Sequence, residues 1–250
     1  HKSLFENKCR KLEKKTFEHA TNIVVYSQPM IDYCVKNICS DTTKYKIHQN
    51  IDFSRFQFFE GEKDYSNGIN ICFVGSFLKW HRVDLLLQAY KKILAEFPDK
   101  KLHLYLIGDG MEKERMESLA KQLDLTNYTF TGYKDGQELI ELQMKMHIGV
   151  MPGSNWYGAP NKLFEYGAMK MAVIAPDTPT INYNFSENQI LLFKIEDISG
   201  IQVLLQQLIE NEKLLLTCSE LNFEFITKHY SANKTYRFYK LILLNNQQLP

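Results

Sequence analysis

A chain of 250 residues has room for one large domain, or for one domain with a fragment of another. With 44% hydrophobic and 24% charged residues it has the make-up of an ordinary soluble globular protein, and no apolar run approaches the length of a membrane span. The formal net charge of +1 supplies no global field for nucleic acid, so any anion must be held locally.

Residues 2–19 read as a helix, with Leu4, Phe5, Leu12 and Phe17 as apolar members among many charges. Residues 22–27 (NIVVYS) read as a short buried strand, 28–36 as a helix and 45–48 as a second short strand. The segment NIDFSRF (50–56) is followed by the polar run EGEKDYSN (60–67), with Gly61 inside it and Gly68 just after it. That is a linker signal, and it places a domain boundary between about 50 and 66.

From Gly68 the rhythm becomes regular. Residues 69–74 are apolar apart from Asn70 and end in Gly75, the pattern of a buried parallel strand. Val83, Leu86, Leu87, Tyr90, Ile93, Leu94 and Phe97 recur at helical spacing over 83–97. A second buried strand over 102–107 ends in Gly108-Asp109-Gly110. Then come a helix at 111–123, a strand at 128–131, a helix at 137–146 and a strand at 148–151. A helix at 161–169, strands at 172–175 and 190–193, and helical segments from 195–209 onward to 244 complete the chain. Strands alternating with helices through short loops specify an α/β fold, a doubly wound parallel sheet covered on both faces. The domain scheme is 1–50, a linker at 51–66, a Rossmann-like domain at 67–225 and a C-terminal helical segment at 226–250.

Cysteine usage is uninformative about disulfides: Cys9, Cys34, Cys39, Cys72 and Cys218 are odd in number and scattered, which suits reduced thiols in the cytoplasm. Cys34 and Cys39 could share a zinc, but no second Cys or His pair accompanies them. No signal peptide is visible. His103 sits within a strand and His147 immediately before one, so both read as structural.

In a doubly wound sheet, ligands bind beyond the carboxyl ends of the strands. The first such end is Gly75-Ser76-Phe77-Leu78-Lys79-Trp80-His81-Arg82, a glycine and three basic or potentially basic side chains ahead of a helix N-terminus, which favours anions. The alternative there is a solvated loop. Gly108-Asp109-Gly110 lacks the third glycine of a dinucleotide fingerprint, and Glu112 and Glu114 would repel a pyrophosphate. Gly132 and Tyr133 end the next strand. The richest segment runs from Tyr157 through Gly158, Ala159, Pro160, Asn161, Lys162, Leu163, Phe164 and Glu165 to Ala168. Pro160 suits the start of a helix. Lys162 in the first turn calls for a compensating anion, such as a phosphate. Glu165, one turn on, could accept hydrogen bonds from ribose hydroxyls. A surface helix with Lys162 and Glu165 facing water explains the same spacing equally well. No Asp-x-Asp suggests a carboxylate-bridged metal.

At these residues the chain resembles the large family of retaining glycosyltransferases with the GT-B fold, group 1 or family 4. The matching segments are Phe73–Phe77, Trp80-His81, Val83-Asp84, Leu106–Gly110, Phe130–Tyr133, Ile148–Pro152, Pro160–Ala168 and Val173–Ala175. The resemblance implies a nucleotide-diphosphate sugar as donor substrate. Backbone near Gly132 and Tyr133 would face the base, Glu165 would hold the ribose, and the diphosphate would lie between the Gly75 loop and the helix beginning near Asn161. Gly75, Ser76, Lys79, His81, Arg82, Gly108, Gly132, Tyr133, Tyr157, Gly158, Asn161, Lys162, Leu163 and Glu165 form the implied donor site, with no metal and no further cofactor. Three departures stand out. Tyr157 occupies the place of the first of two family glutamates, and Ser76 and His81 occupy those of a family Arg and Lys. The chain is also short, so that 1–50 reads as a truncated remnant of an acceptor-binding N-terminal domain.

The expected activity is sugar transfer with retention, needing an acceptor domain that is separate or missing, and the expected protein partner is an acceptor-domain subunit or a second copy of the chain. Exposed Leu4, Phe5 and Ile23 would seek that partner. Rival readings are a non-catalytic sugar-nucleotide or protein-binding module and a GT-B epimerase. The basic run KCRKLEKK (8–15) reads as a solvated face, with peripheral contact at the inner face of the membrane as the alternative.

Overall fold

The computed structural model describes residues 2–158, 160–186 and 189–245, with side chains described from Phe5 to Leu244. Ala159 and the side chain of Leu4 lie outside the described residues. The chain divides into two compact units, one of residues 1–50 with 231–250 and one of residues 51–230.

The smaller unit holds α1 (Lys2–His19), β1 (Ile23–Val25), α2 (Gln28–Asn37), β2 (Tyr45–Ile47) and, from the far end of the chain, α10 (Ala232–Asn245). β1 and β2 pair in parallel, with Ile23 opposite Tyr45. Ile23, Val25, Cys34 and Tyr45 form its small core. Ile23 is therefore buried rather than available to a partner, because its strand pairing turns it onto α2. Phe5, by contrast, is 70% exposed. α2 starts where Ser27 accepts a hydrogen bond from the Met30 amide, with Pro29 in the first turn, where its missing N–H costs nothing. From α10, Phe238 stacks on His48 at 4.2 Å between ring centroids, and Thr235 Oγ1 lies 3.2 Å from His48 Nε2.

The larger unit is a six-stranded sheet in the order β5-β4-β3-β6-β7-β8, and every pairing in it is parallel. Its strands are β3 (Ile69–Val74), β4 (Leu102–Ile107), β5 (Tyr128–Gly132), β6 (Ile148–Val150), β7 (Ala172–Pro176) and β8 (Leu191–Phe193). Its helices are α3 (Val83–Glu96), α4 (Lys113–Gln122), α5 (Gly136–Met144), α6 (Asn161–Ala168), α7 (Pro179–Asn184), α8 (Ile198–Glu210) and α9 (Glu212–His229). Successive side chains of a strand point to opposite faces. On β3, Ile71 and Phe73 accordingly join the core shared with α3, α4 and α8. Cys72 and Val74 join the core shared with α5 and α6 and with Ile226 of α9. A strand buried on both faces needs a continuous apolar run, and that is why β3 and β4 stand out in the sequence.

α7 is an element the periodicity did not announce. It is made locally: Thr178 caps it by accepting from the Ile181 amide, and Pro179 occupies its first turn. α4 begins two residues later than its apolar pattern suggests, at Lys113, because Glu112 first donates its amide to the Phe77 carbonyl at 3.0 Å. Residues 51–66, polar enough to read as a linker, bury Ile51, Phe56 and Phe59 in the larger unit. The Phe59 amide donates to the Ala168 carbonyl at 2.9 Å, which fastens this segment to the end of α6.

Strand order reverses between β3 and β6. Consecutive strands run outward from β3 to one edge and from β6 to the other. Chain connections diverge at that point and leave a crevice above the carboxyl ends of the strands, where doubly wound sheets bind ligands.

Candidate ligand site at the strand switch

β3 delivers Gly75 to the rim of this crevice, in the left-handed half of backbone space at φ +144°. A Cβ there would lie 2.7 Å from Lys162 Nζ and would displace that ammonium, and the positive φ favours glycine at this position. Lys162 itself sits in the first turn of α6 and is 8% exposed. Nζ has no hydrogen-bond partner. It stands 4.3 Å from the centroid of the Phe73 ring, a cation–π contact. Burial pulls the Lys162 ammonium down to about 7, against the attraction of Glu165 and with added repulsion from Arg55.

Glu165, one turn on, is 1% exposed. Its Oε1 accepts from Arg55 Nε at 2.7 Å, while Oε2 is buried without a partner. Burial pushes the Glu165 carboxyl up, and Arg55 and Lys162 oppose that rise. The helix carrying both residues is central: every side chain from Lys162 to Ala168 is buried, and Tyr166 Oη accepts from the Val74 amide at 2.8 Å. A solvated surface helix is thereby ruled out. Leu163 lies wholly in the core, and Asn161 opens the helix half-buried.

The loop after β3 behaves differently. Lys79 and Ser76 are exposed. Burial lowers His81 to about 4, assisted by the Lys162 charge and opposed by the Ser76 carbonyl. The ring is thus neutral near pH 7, and the Ser76 carbonyl, which can only accept, requires the proton on Nδ1. Arg82 adopts a left-handed conformation, φ 47°, just before α3. Its guanidinium is already paired, with Asp84 at 3.1 Å and Glu196 at 2.6 Å. Lys79, Trp80, Arg82, Asp84, Arg115, the β6 loop from Pro152 to Asn155, Ile195 and Glu196 line an open cavity of about 490 Å³. Lys162 and Glu165 are not in its lining.

The remaining sequence-derived candidates fall around this centre. The Gly108 amide donates to the Gly132 carbonyl at 2.9 Å, which ties the ends of β4 and β5 together. Tyr133 is 65% exposed and close enough to Arg55 to interact with it electrostatically. Tyr157 is exposed, edge-on to Trp156 at 5.5 Å, and its hydroxyl accepts from Asn155 Nδ2. The Gly158 amide closes the same turn onto the Asn155 carbonyl. The structure thus brings Gly75, His81, Lys162 and Glu165 together and leaves Tyr157 on the exposed surface.

Arg55 is the residue that reading by elements passed over, since it lies in the supposed linker. Burial works against its cation, yet Glu165 prevails and holds the guanidinium above its usual value. The available signal was an arginine among the recurring aromatics Phe53, Phe56, Phe58 and Phe59. His103 and His147 are structural as expected. His147 is buried against Tyr65, with its Nδ1 accepting from the Asn70 amide, and His103 meets Thr129 Oγ1 at 2.8 Å.

Comparison with known proteins places this geometry. The family described as Glycosyl transferases group 1 matches residues 68–211. An uncharacterized glycosyltransferase of Methanocaldococcus jannaschii is 24% identical over 255 residues, which cover 96% of this chain and 64% of that protein. This chain therefore spans just under two thirds of that curated relative. Among solved structures, sucrose-phosphate synthase from Thermosynechococcus elongatus superposes with a TM-score of 0.80 at 16% identity, covering 96% of this chain and 62% of the other. HepE from Anabaena, solved in complex with UDP and glucose, gives 0.75 at 11% identity, covering 90% of this chain and 63% of the other. At such identities the likeness is one of fold, and that fold is GT-B.

Proposed function

The chain belongs to the group 1 glycosyl transferases, and we propose that residues 51–230 are the donor half of such an enzyme, holding a nucleotide-diphosphate sugar at the strand switch for transfer with retention. The observation that carries the reading is the Lys162 ammonium, buried without a hydrogen-bond partner against Gly75, with the unpartnered Oε2 of Glu165 one turn away. A buried cation without an acceptor is costly, and a ligand phosphate offsets that cost. A carboxylate oxygen without a donor likewise suits a ribose hydroxyl. Charge developing on a departing diphosphate would then be met by Lys162 and the amino end of α6, with no metal required. Nζ is solvent-excluded, so the reading requires the loop 75–82 to shift as ligand enters.

Acceptor binding we place outside residues 51–230, on another part of the protein or on a partner chain. Uridine diphosphate is the first nucleotide to test, since HepE was solved with it. Titrations with uridine, guanosine and adenosine diphosphates should give saturable binding for at least one. Absence of binding by all three at millimolar concentration sinks the donor-site reading. A second reading, binding without turnover, is favoured by Arg82, whose charge is committed to Asp84 and Glu196. Single-turnover sugar release from the bound donor in the presence of acceptor separates the two.

A further inference from the structure

Arg55 comes from the segment that precedes the region matched by the family description, yet it reaches the heart of the site. Its backbone is firmly held. Asp52 Oδ1 accepts from the Ser54 amide at 3.0 Å and the Ser54 hydroxyl at 2.6 Å, shaping a turn. The Arg55 amide donates to the Asp52 carbonyl at 3.3 Å, and the Arg55 carbonyl accepts from Gln143 Nε2 at 3.4 Å. Buried Ile51 before it and buried Phe56 and Phe59 after it anchor the chain. From that base the side chain spends Nε on one oxygen of Glu165 and leaves the other oxygen open.

We propose that Arg55 is a positioning residue for the ribose-binding carboxylate: by pairing with Oε1 it orients Glu165 and keeps it ionised, so that Oε2 stays an acceptor for a ligand hydroxyl. The proposal rests on the donor-site reading above. A carboxyl as buried as this one is driven towards its neutral form, which would be a weaker acceptor and would carry a proton of its own. The groups that act on it are Arg55 and Asp52 from the 51–59 segment, Lys162 and Tyr166 on its own helix, and Cys72 on β3. Of the two cations, Lys162 loses its charge near neutrality, at about 7. Arg55 does not, since a guanidinium stays protonated at every physiological pH. Asp52, Cys72 and Tyr166 push in the other direction or are neutral. Arg55 is therefore the cation that opposes the rise of Glu165 on both sides of the Lys162 titration.

The test compares each ribonucleoside diphosphate that binds with its 2′-deoxy counterpart, in the full chain, at about pH 8 and about pH 6. The wild-type protein should prefer the ribonucleotide by about tenfold at both pH values, a preference carried by charge-assisted hydrogen bonds. Arg55→Gln should keep part of that preference at the higher pH and lose it at the lower, because Glu165 then takes up a proton. Arg55→Lys should retain most of it at both. In a Glu165→Gln background, Arg55→Gln should have no further effect on the ratio, which guards against a merely structural loss. A pH-independent ratio in Arg55→Gln equal to that of the wild type overturns the proposal, as does an undiminished effect in the Glu165→Gln background. If no nucleotide binds the wild-type protein, the donor-site reading itself falls, a distinct outcome.

Discussion

Two basic regions border the strand switch and have opposite fates. In the loop between β3 and α3, Arg82 meets Asp84 two residues on and Glu196 from beyond β8. In the first turn of α6, Lys162 meets no acceptor: it feels the charge of Glu165, but the only oxygen of that carboxylate with a hydrogen-bond partner, Oε1, is held by Arg55. Each cation stands beside a helix start at the end of a parallel strand, and by sequence alone each has the same claim on an anion. The difference shows that a formal charge in a loop does not make a binding site. Pairing decides whether the charge is satisfied within the protein or remains available to a ligand.

The sharpest way to break this contrast is Lys162→Ala. A hydrogen bond to a charged group contributes about 1.5–3 kcal/mol, so the nucleoside diphosphate should lose about 10- to 150-fold in affinity, while the nucleoside alone changes little. Equal losses for both ligands would mean that Lys162 serves folding or the base. Protons sharpen the point. Burial lowers Lys162 from 10.5 to about 7, and a bound phosphate should raise it again. Wild-type protein should therefore take up a proton on binding the diphosphate just above neutrality, and affinity should decline as pH rises through that range. Calorimetry in buffers of different ionisation enthalpy measures the uptake, which Lys162→Ala should abolish. Stability should run the other way. The unfolded chain binds more protons between the two values, so unfolding free energy should rise with pH from about 7 towards 10.5.

Gly75→Ala is expected next in size. It places a Cβ 2.7 Å from Lys162 Nζ at φ +144°, a conformation that side-chain-bearing residues rarely adopt. Strain of this kind costs about 1–3 kcal/mol, readable as a lower urea midpoint. Part of the loss should return in the Lys162→Ala background, where the steric share disappears and the backbone share remains. No recovery at all would show that the lysine does not shape this corner.

The smallest effect belongs to Arg82→Ala. Its ion pairs are partly exposed, with side-chain exposures of 29% for Arg82 and 68% for Glu196, and such pairs contribute about 0–1 kcal/mol. Diphosphate affinity should change by less than about threefold. A loss as large as that of Lys162→Ala would erase the distinction between the two regions and mean that both ion pairs open for the ligand.

The amino-acid sequence determined by itself the elements whose reason for forming is local and periodic. β3 and β4 begin and end where their apolar runs do, at Ile69–Val74 and Leu102–Ile107, because strands buried on both faces leave an unbroken signature closed by glycine. It also determined which loops gather at the carboxyl edge of the sheet, since a parallel sheet with crossover helices collects those strand ends on one side. α7 escaped because its six residues are too few for a helical period and rest on a cap and a proline. Ile23 was misjudged because only pairing with β2 reveals which way it faces. The state of each charge was left to the tertiary structure. Arg55 and Glu165 are 110 residues apart, and Arg82 and Glu196 are 114 apart. A side chain's spacing along its own helix can suggest what it would bind, but whether it is buried, paired or left open depends on groups that only the folded chain brings within a few ångströms.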